Sequence, residues 1–206
     1  VLEYGVRFGT RKMKLVKTTI NQVSFKLLLT FAYQISTLIS IPILANSISS
    51  IEFGKIAICL ILLQISWTIS EWGIPNYSIE LLSKSTKIAK RKFLKNIIYF
   101  HLLFFLAFTF IYAILIKFIF DDLDFKHYFF LIPSILFGIF NFSWFFSLIN
   151  QTQKIVNITI FSRFIFLLAV IFLINDDSDS YLYILFQGRS FAIISIYSIY
   201  VLAKLD

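Results

Sequence analysis

The chain is poor in the residues from which soluble enzymes build sites. Its one cysteine, Cys59, lies inside an apolar run, so it has no partner for an internal disulfide and no companions for a metal centre. The two histidines, His101 and His127, are far apart and show no ligand spacing. They read as packed or interfacial side chains. No glycine-rich phosphate loop is present, and no nucleophile stands beside a base, so neither a catalytic residue nor a cofactor is assigned. Charge is scarce as well. Only 15% of the 206 residues are charged, against roughly a quarter in soluble domains.

What is abundant is apolar surface. The chain is 59% hydrophobic, carries 26 phenylalanines and has a mean hydropathy of +0.85. A soluble core of this size cannot hide that much surface, so the expected solvent is lipid. The phenylalanines fit lipid-facing positions. Six stretches are long enough to cross a bilayer: 24–45, 53–73, 96–120, 128–149, 155–175 and 181–203. Even spacing and short loops point to one bundle. The expected fold is an all-α polytopic membrane helical bundle with a basic segment over 1–20 and a transmembrane unit over 21–206. The chain begins with Val1, as after an alternative start codon or a cut, and residues 1–20 do not look like a signal peptide.

The loops alternate in charge. Arg7, Arg11, Lys12, Lys14 and Lys17 precede the first span; Lys84, Lys87, Lys90, Arg91, Lys92 and Lys95 follow the second; Lys154 follows the fourth. The loops between them hold Asp121, Asp122 and Asp124, then Asp176, Asp177 and Asp179. Basic loops stay on the cytoplasmic side, so both termini are expected there. The net charge of +8 then reflects topology and not nucleic acid. The aspartate pairs read as solvated turns.

One stretch combines several signals. ISEWGIPNYSIELLSKSTKIAKRK, from Ile69 to Lys92, puts Glu71 at the end of an apolar segment, then a break at Gly73-Ile74-Pro75, then a basic block. Pro75 cannot continue a helix interior, so the chain is expected to turn there. Residues 78–95 carry Leu81, Leu82, Ile88, Ala89 and Phe93 at helical spacing with lysines elsewhere. This reads as an amphipathic helix in the headgroup layer, in contact with anionic membrane lipid.

Charges at membrane depth cost several kcal/mol, so each marks a candidate site. Lys26 and Lys117 lie near span ends and can snorkel. Arg163 lies about two turns into the fifth span with Thr159 on its face, and Arg189 is close to mid-depth in the sixth. Gln187 and Arg189 are about 200° apart around their helix, so they cannot share one cavity. The charged residue is the costlier one to leave in lipid, so Arg189 is expected to face inward and Gln187 to bond a neighbouring helix. In the first span Thr30, Gln34 and Thr37 form a polar stripe beside Tyr33. In the second, Gln64, Thr68 and Glu71 share a face flanked by Trp67. Hydrogen bonding between helices and a polar cavity both account for this pattern.

Three stretches resemble the N-terminal half of bacterial polysaccharide flippases, the exporters of O-antigen and capsule units in the multidrug/oligosaccharidyl-lipid/polysaccharide superfamily. They are ISIPILANSISSIEFGK with Pro42, Glu52, Phe53 and Gly54; SEWGIPNYSIELLSK with Glu71, Trp72 and Gly73; and FSWFFSLINQTQKIVNITIFSRFIFLL with Trp144, Phe145, Phe146 and Arg163. The resemblance implies one six-helix lobe of a two-lobe transporter whose C-terminal lobe is missing, in the bacterial cytoplasmic (inner) membrane. It implies an undecaprenyl-pyrophosphate-linked oligosaccharide as cargo for polysaccharide or lipopolysaccharide biosynthesis. Arg163 and Arg189 would contact phosphate or acidic sugar, Gln34, Gln64 and Thr37 would bond hydroxyls, and Glu71 would couple an ion or gate. Three other readings stand beside it. A multidrug or small-molecule exporter of the same superfamily would favour buried carboxylates. A membrane glycan polymerase or acyltransferase needs a large outer loop or a deep His/Asp pair. A non-transporting scaffold is the third.

Overall fold

The computed structural model describes Ser24 and residues 27–74, 77–78, 82, 87–118, 123–148 and 151–203. Among these residues the chain is predominantly helical and has no strand. The basic segment expected over 1–20 lies outside them.

Helices α1 (Leu27–Ser47) and α2 (Ser50–Glu71) form a tight hairpin. Ser49 starts α2: its hydroxyl accepts from the Glu52 backbone N–H at 3.4 Å, and Glu52 places negative charge in the first turn. The helix therefore begins three residues ahead of the expected Phe53. It ends ahead of Pro75, which is outside the described residues. The Trp72 N–H turns back to the Ile69 carbonyl and Gly73 takes a φ of 74°.

Helix α3 (Lys87–Phe118) has 32 residues, about 48 Å of helix. The third span was expected from residue 96, but the helix already includes Lys92 and Lys95. Residues 87–95 of the expected surface helix thus continue the span. Of the remainder, only Ser78 and Leu82 are described.

The expected fourth span is two helices, α4 (Phe125–Ile139) and α5 (Ser143–Leu148). Asn141 makes the break. Its Oδ1 accepts from the Ser143 N–H at 3.1 Å and replaces a helical carbonyl. Pro133 removes one further donor within α4. Helix α6 (Thr152–Leu173), a 3-10 turn (Asp177–Asp179) and α7 (Ser180–Ala203) follow.

Helices α4 and α7 form the centre. Gly188 lies directly on Ser134, where a Cβ would meet the Ser134 Cα at 2.6 Å. Helices α2 and α6 flank α7, and α3 lies against α4 and α2. One buried cluster, including Cys59, Leu63, Leu131, Ile135 and Ile184, joins α2, α4 and α7. A second, with Leu44, Ile56, Val170 and Tyr183, fastens α1 and α6 to them. Cys59 and His101 are both packed, and the His101 ring stacks on Phe142 at 5.1 Å.

The outer surface is as apolar as the inside. Leu38, Ile51, Phe110, Phe118 and Phe172 are each about 70% exposed. Among the described residues six helical segments, with α4 and α5 taken together as one, are long and apolar enough to span a bilayer, and a surface of this kind is stable only in lipid. The chain is a multi-pass membrane protein. Several polar side chains are paired between helices, as a hydrocarbon environment favours. The Tyr112 hydroxyl donates to the Leu62 carbonyl at 2.7 Å and meets Ser66 Oγ at 2.8 Å; Ser40 Oγ meets the Tyr183 hydroxyl at 2.8 Å.

One end of the bundle is acidic and tied together by polar contacts. Lys55 Nζ bridges Glu52 at 2.7 Å and Asp124 at 3.1 Å. The other Glu52 oxygen accepts from Ser180 Oγ at 2.7 Å and lies 3.4 Å from His127 Nε2. Asp177 accepts from the Ser49 N–H at 2.5 Å. In the adjoining turn the Ser178 hydroxyl and N–H hold the Asp176 carboxyl below the usual carboxylate range.

Candidate functional site

A cavity of about 680 Å³ opens between α1 and α2, with α4, α5, α6 and α7 behind it. Its polar lining comes from the stripes visible in the sequence. Gln34 and Thr37 of α1 face Gln64, Thr68 and Glu71 of α2. Gln64 Nε2 donates to Thr68 Oγ1 at 3.3 Å, and Thr68 Oγ1 donates to the Gln64 carbonyl at 2.8 Å. Thr37 Oγ1 donates to the Tyr33 carbonyl at 3.0 Å. Glu71 sits at one mouth, on the last turn of α2, and forms no ion pair among the described residues.

Arg163 forms the back wall. It lies eleven residues from the start of α6 and ten from its end, so it sits at mid-depth. The side chain is only 3% exposed. Its guanidinium carbon is 4.1 Å from the Tyr33 ring centroid and 4.7 Å from that of Phe191. These rings stack on one another at 5.4 Å. Nη1 donates to Gln187 Oε1 at 3.0 Å. Nε has no hydrogen-bond partner, and no carboxylate pairs with the group among the described residues. A buried cation held by aromatic faces and one amide is incompletely compensated.

The aromatic wall continues into Trp67, whose ring meets Phe191 edge-on at 4.2 Å. Trp67 can lie there because position 138 is glycine. A Cβ on Gly138 would fall 1.4 Å from Trp67 Nε1. That indole N–H is itself buried without a partner. Asn141, at the break between α4 and α5, completes the lining.

The structure thus brings Arg163, Gln34, Gln64, Thr37 and Glu71 to one cavity. It does not bring Arg189 there. Arg189 is exposed on the far side of α7, and Gln187 takes the inward place and bonds Arg163. The 200° separation holds, but the rotation is opposite to the expectation. The cause is packing. Tyr183, Ile184 and Ile194 share the face of Gln187 and belong to the buried clusters, Phe191 on that face is buried against the Tyr33 and Trp67 rings, and Gly188 must meet Ser134. The cost of one charge in lipid does not outweigh that whole face. Sequence reasoning missed Phe191, Asn141 and the Arg163–Gln187 pair. The i, i+4 spacing of Gln187 and Phe191 was the available signal.

The fold and the site define a helical membrane protein with a polar, cationic, aromatic-walled cavity at mid-depth. No family model, curated protein or solved structure matches the chain.

Proposed function

We propose that the chain is one lobe of a transporter for an anionic, lipid-linked oligosaccharide, an undecaprenyl-pyrophosphate-linked O-antigen or capsule unit, in the bacterial cytoplasmic membrane. The observation that carries this reading is Arg163, a buried guanidinium at mid-depth that has no counter-charge among the described residues and lies at the back of a polar cavity. A phosphate or acidic sugar supplies the missing partner through charge-assisted bonds. Gln34, Gln64 and Thr37 meet sugar hydroxyls, and the aromatic wall of Tyr33, Trp67 and Phe191 offers stacking faces. In this reading the aspartate-rich end faces outward and the amino terminus stays cytoplasmic. Cargo moves when this lobe rocks against a second one. Glu71, at the mouth, gates or couples an ion.

A multidrug exporter of cations calls for carboxylates in the cavity, and Glu71 is the single one among the described lining residues. The test is direct. The purified chain is titrated in phosphatidylcholine nanodiscs with a short polyprenyl-pyrophosphate disaccharide and with a neutral glycolipid bearing the same sugar. The pyrophosphate probe binds preferentially, and Arg163→Gln weakens it at least tenfold. Equal binding of the two probes, or no loss in Arg163→Gln, removes the anionic cargo. Restored surface polysaccharide in a strain without its O-unit flippase, when the chain is expressed with a second six-span lobe, extends the result to transport.

A further inference from the structure

The placement of Arg189 raises a question that the cavity does not answer. Arg189 lies twelve residues from each end of the span Asp177–Val201. A second route gives the same depth. Arg163 is at the middle of α6 and bonds Gln187, and Arg189 is two residues, about 3 Å, further along α7. An extended arginine side chain covers less than half of the ~15 Å from there to either interface, so it cannot snorkel out. Yet the side chain is exposed, and it makes no hydrogen bond or ion pair with any described residue. Ile193 and Ile196, one and two turns on, are exposed on the same face. The result is an apolar stripe with one guanidinium at its mid-membrane end. A bare charge facing hydrocarbon at this depth is strongly disfavoured.

We infer that this face of α7 docks a transmembrane helix of a different polypeptide segment, one that carries a carboxylate at mid-depth. The charge sets the chemistry, because a helix without an acid leaves the guanidinium uncompensated. The sequence rules against a second copy as the source. All 11 acidic residues lie at or beyond the ends of the apolar segments, with Glu52 in the first turn of α2 and Glu71 at its last residue. No copy of this chain can therefore bring a carboxylate to the level of Arg189. A two-fold pairing on this face would also set arginine against arginine. The inference rests on the position of one side chain and is independent of the cargo.

The test uses the full chain, donor-labelled at a terminal tag, in phosphatidylcholine vesicles. Acceptor-labelled polyleucine helices of a single span are added, with either Glu or Leu at the central position, and association is read by energy transfer. The Glu helix associates about tenfold more tightly than the Leu helix. Arg189→Lys keeps the preference. Arg189→Leu and Arg189→Gln, which place a neutral residue on an exposed face and leave the buried contacts intact, abolish it. Arg163→Met retains it, which separates the α7 face from the cavity. Equal association of the two helices overturns the inference, as does a preference that survives Arg189→Leu. Energy transfer between copies of the chain that disappears in Arg189→Leu overturns it too, in favour of a homodimer.

Discussion

Replacing Arg163 with methionine separates a binding role from a structural one. Methionine fills a comparable volume without charge and adapts to irregular surroundings. The change removes the contacts to the Tyr33 and Phe191 rings, together about 2 kcal/mol, and the bond to Gln187, about another 2 kcal/mol. It also removes the penalty of holding an unpaired guanidinium at 3% exposure, which is several kcal/mol. The terms nearly cancel. The expected outcome lies between no change and about 2 kcal/mol of added stability. For a chain of this size each kcal/mol moves Tm by about 2–4 °C, so Tm should stay level or rise by up to about 8 °C. Thermal unfolding in nanodiscs followed by tryptophan fluorescence measures it. The anionic probe should lose its binding in the same sample. A fall in Tm of about 10 °C or more would refute the argument and make Arg163 a part of the scaffold.

Three further substitutions probe the packing. Gly138→Ala drives a methyl into Trp67, so the indole must leave its seat against Phe191; a loss of about 1–3 kcal/mol and a shift in tryptophan emission are expected. Tyr112→Phe removes the donor to the Leu62 carbonyl across the α2–α3 contact and should lower stability by about 1 kcal/mol, while Ser66 retains its own bond to that carbonyl. Glu52→Ala leaves Lys55, Ser180 and His127 without their shared acceptor; a loss of about 1–3 kcal/mol should appear in the same unfolding assay, and no change would show that these contacts are solvated and weak.

Much of this architecture is legible in the sequence, because length and hydropathy alone decide what can cross a bilayer. The six spans follow from that, as do the polar stripes Gln34/Thr37 and Gln64/Thr68/Glu71, since a 3.6-residue period fixes which side chains share a face. The ends of helices were harder to read, because they depend on single capping atoms. Ser49 starts α2 early, and Asn141 cuts one apparent span into α4 and α5. Rotation was the least legible property. Helix α7 is apolar on nearly every side, so its lipid-facing and protein-facing residues look alike. The one charge on it, Arg189, points away from the cavity. What turns the helix is the fit of Gly188 on Ser134, of Tyr183 into its cluster and of Phe191 onto the Tyr33 ring, and such complementarity exists only once the partners are in place.

The knot of side chains at the acidic end also limits how the molecule can move. Glu52, Lys55, Asp124, His127, Ser180 and Asp177 join the α1–α2 turn to the heads of α4 and α7 within one small volume. At the opposite end, α2 stops at a glycine in a left-handed conformation, and Glu71 stands at the cavity mouth without an ion-pair partner among the described residues. At the Glu71 end the elements are held by apolar packing instead, in a cluster that includes Ile74, Leu82, Phe93, Phe142, Trp144 and Val201. If the chain transports as proposed, opening the Glu71 side breaks no ion pair among the described residues, whereas opening the aspartate side requires the clamp itself to come undone.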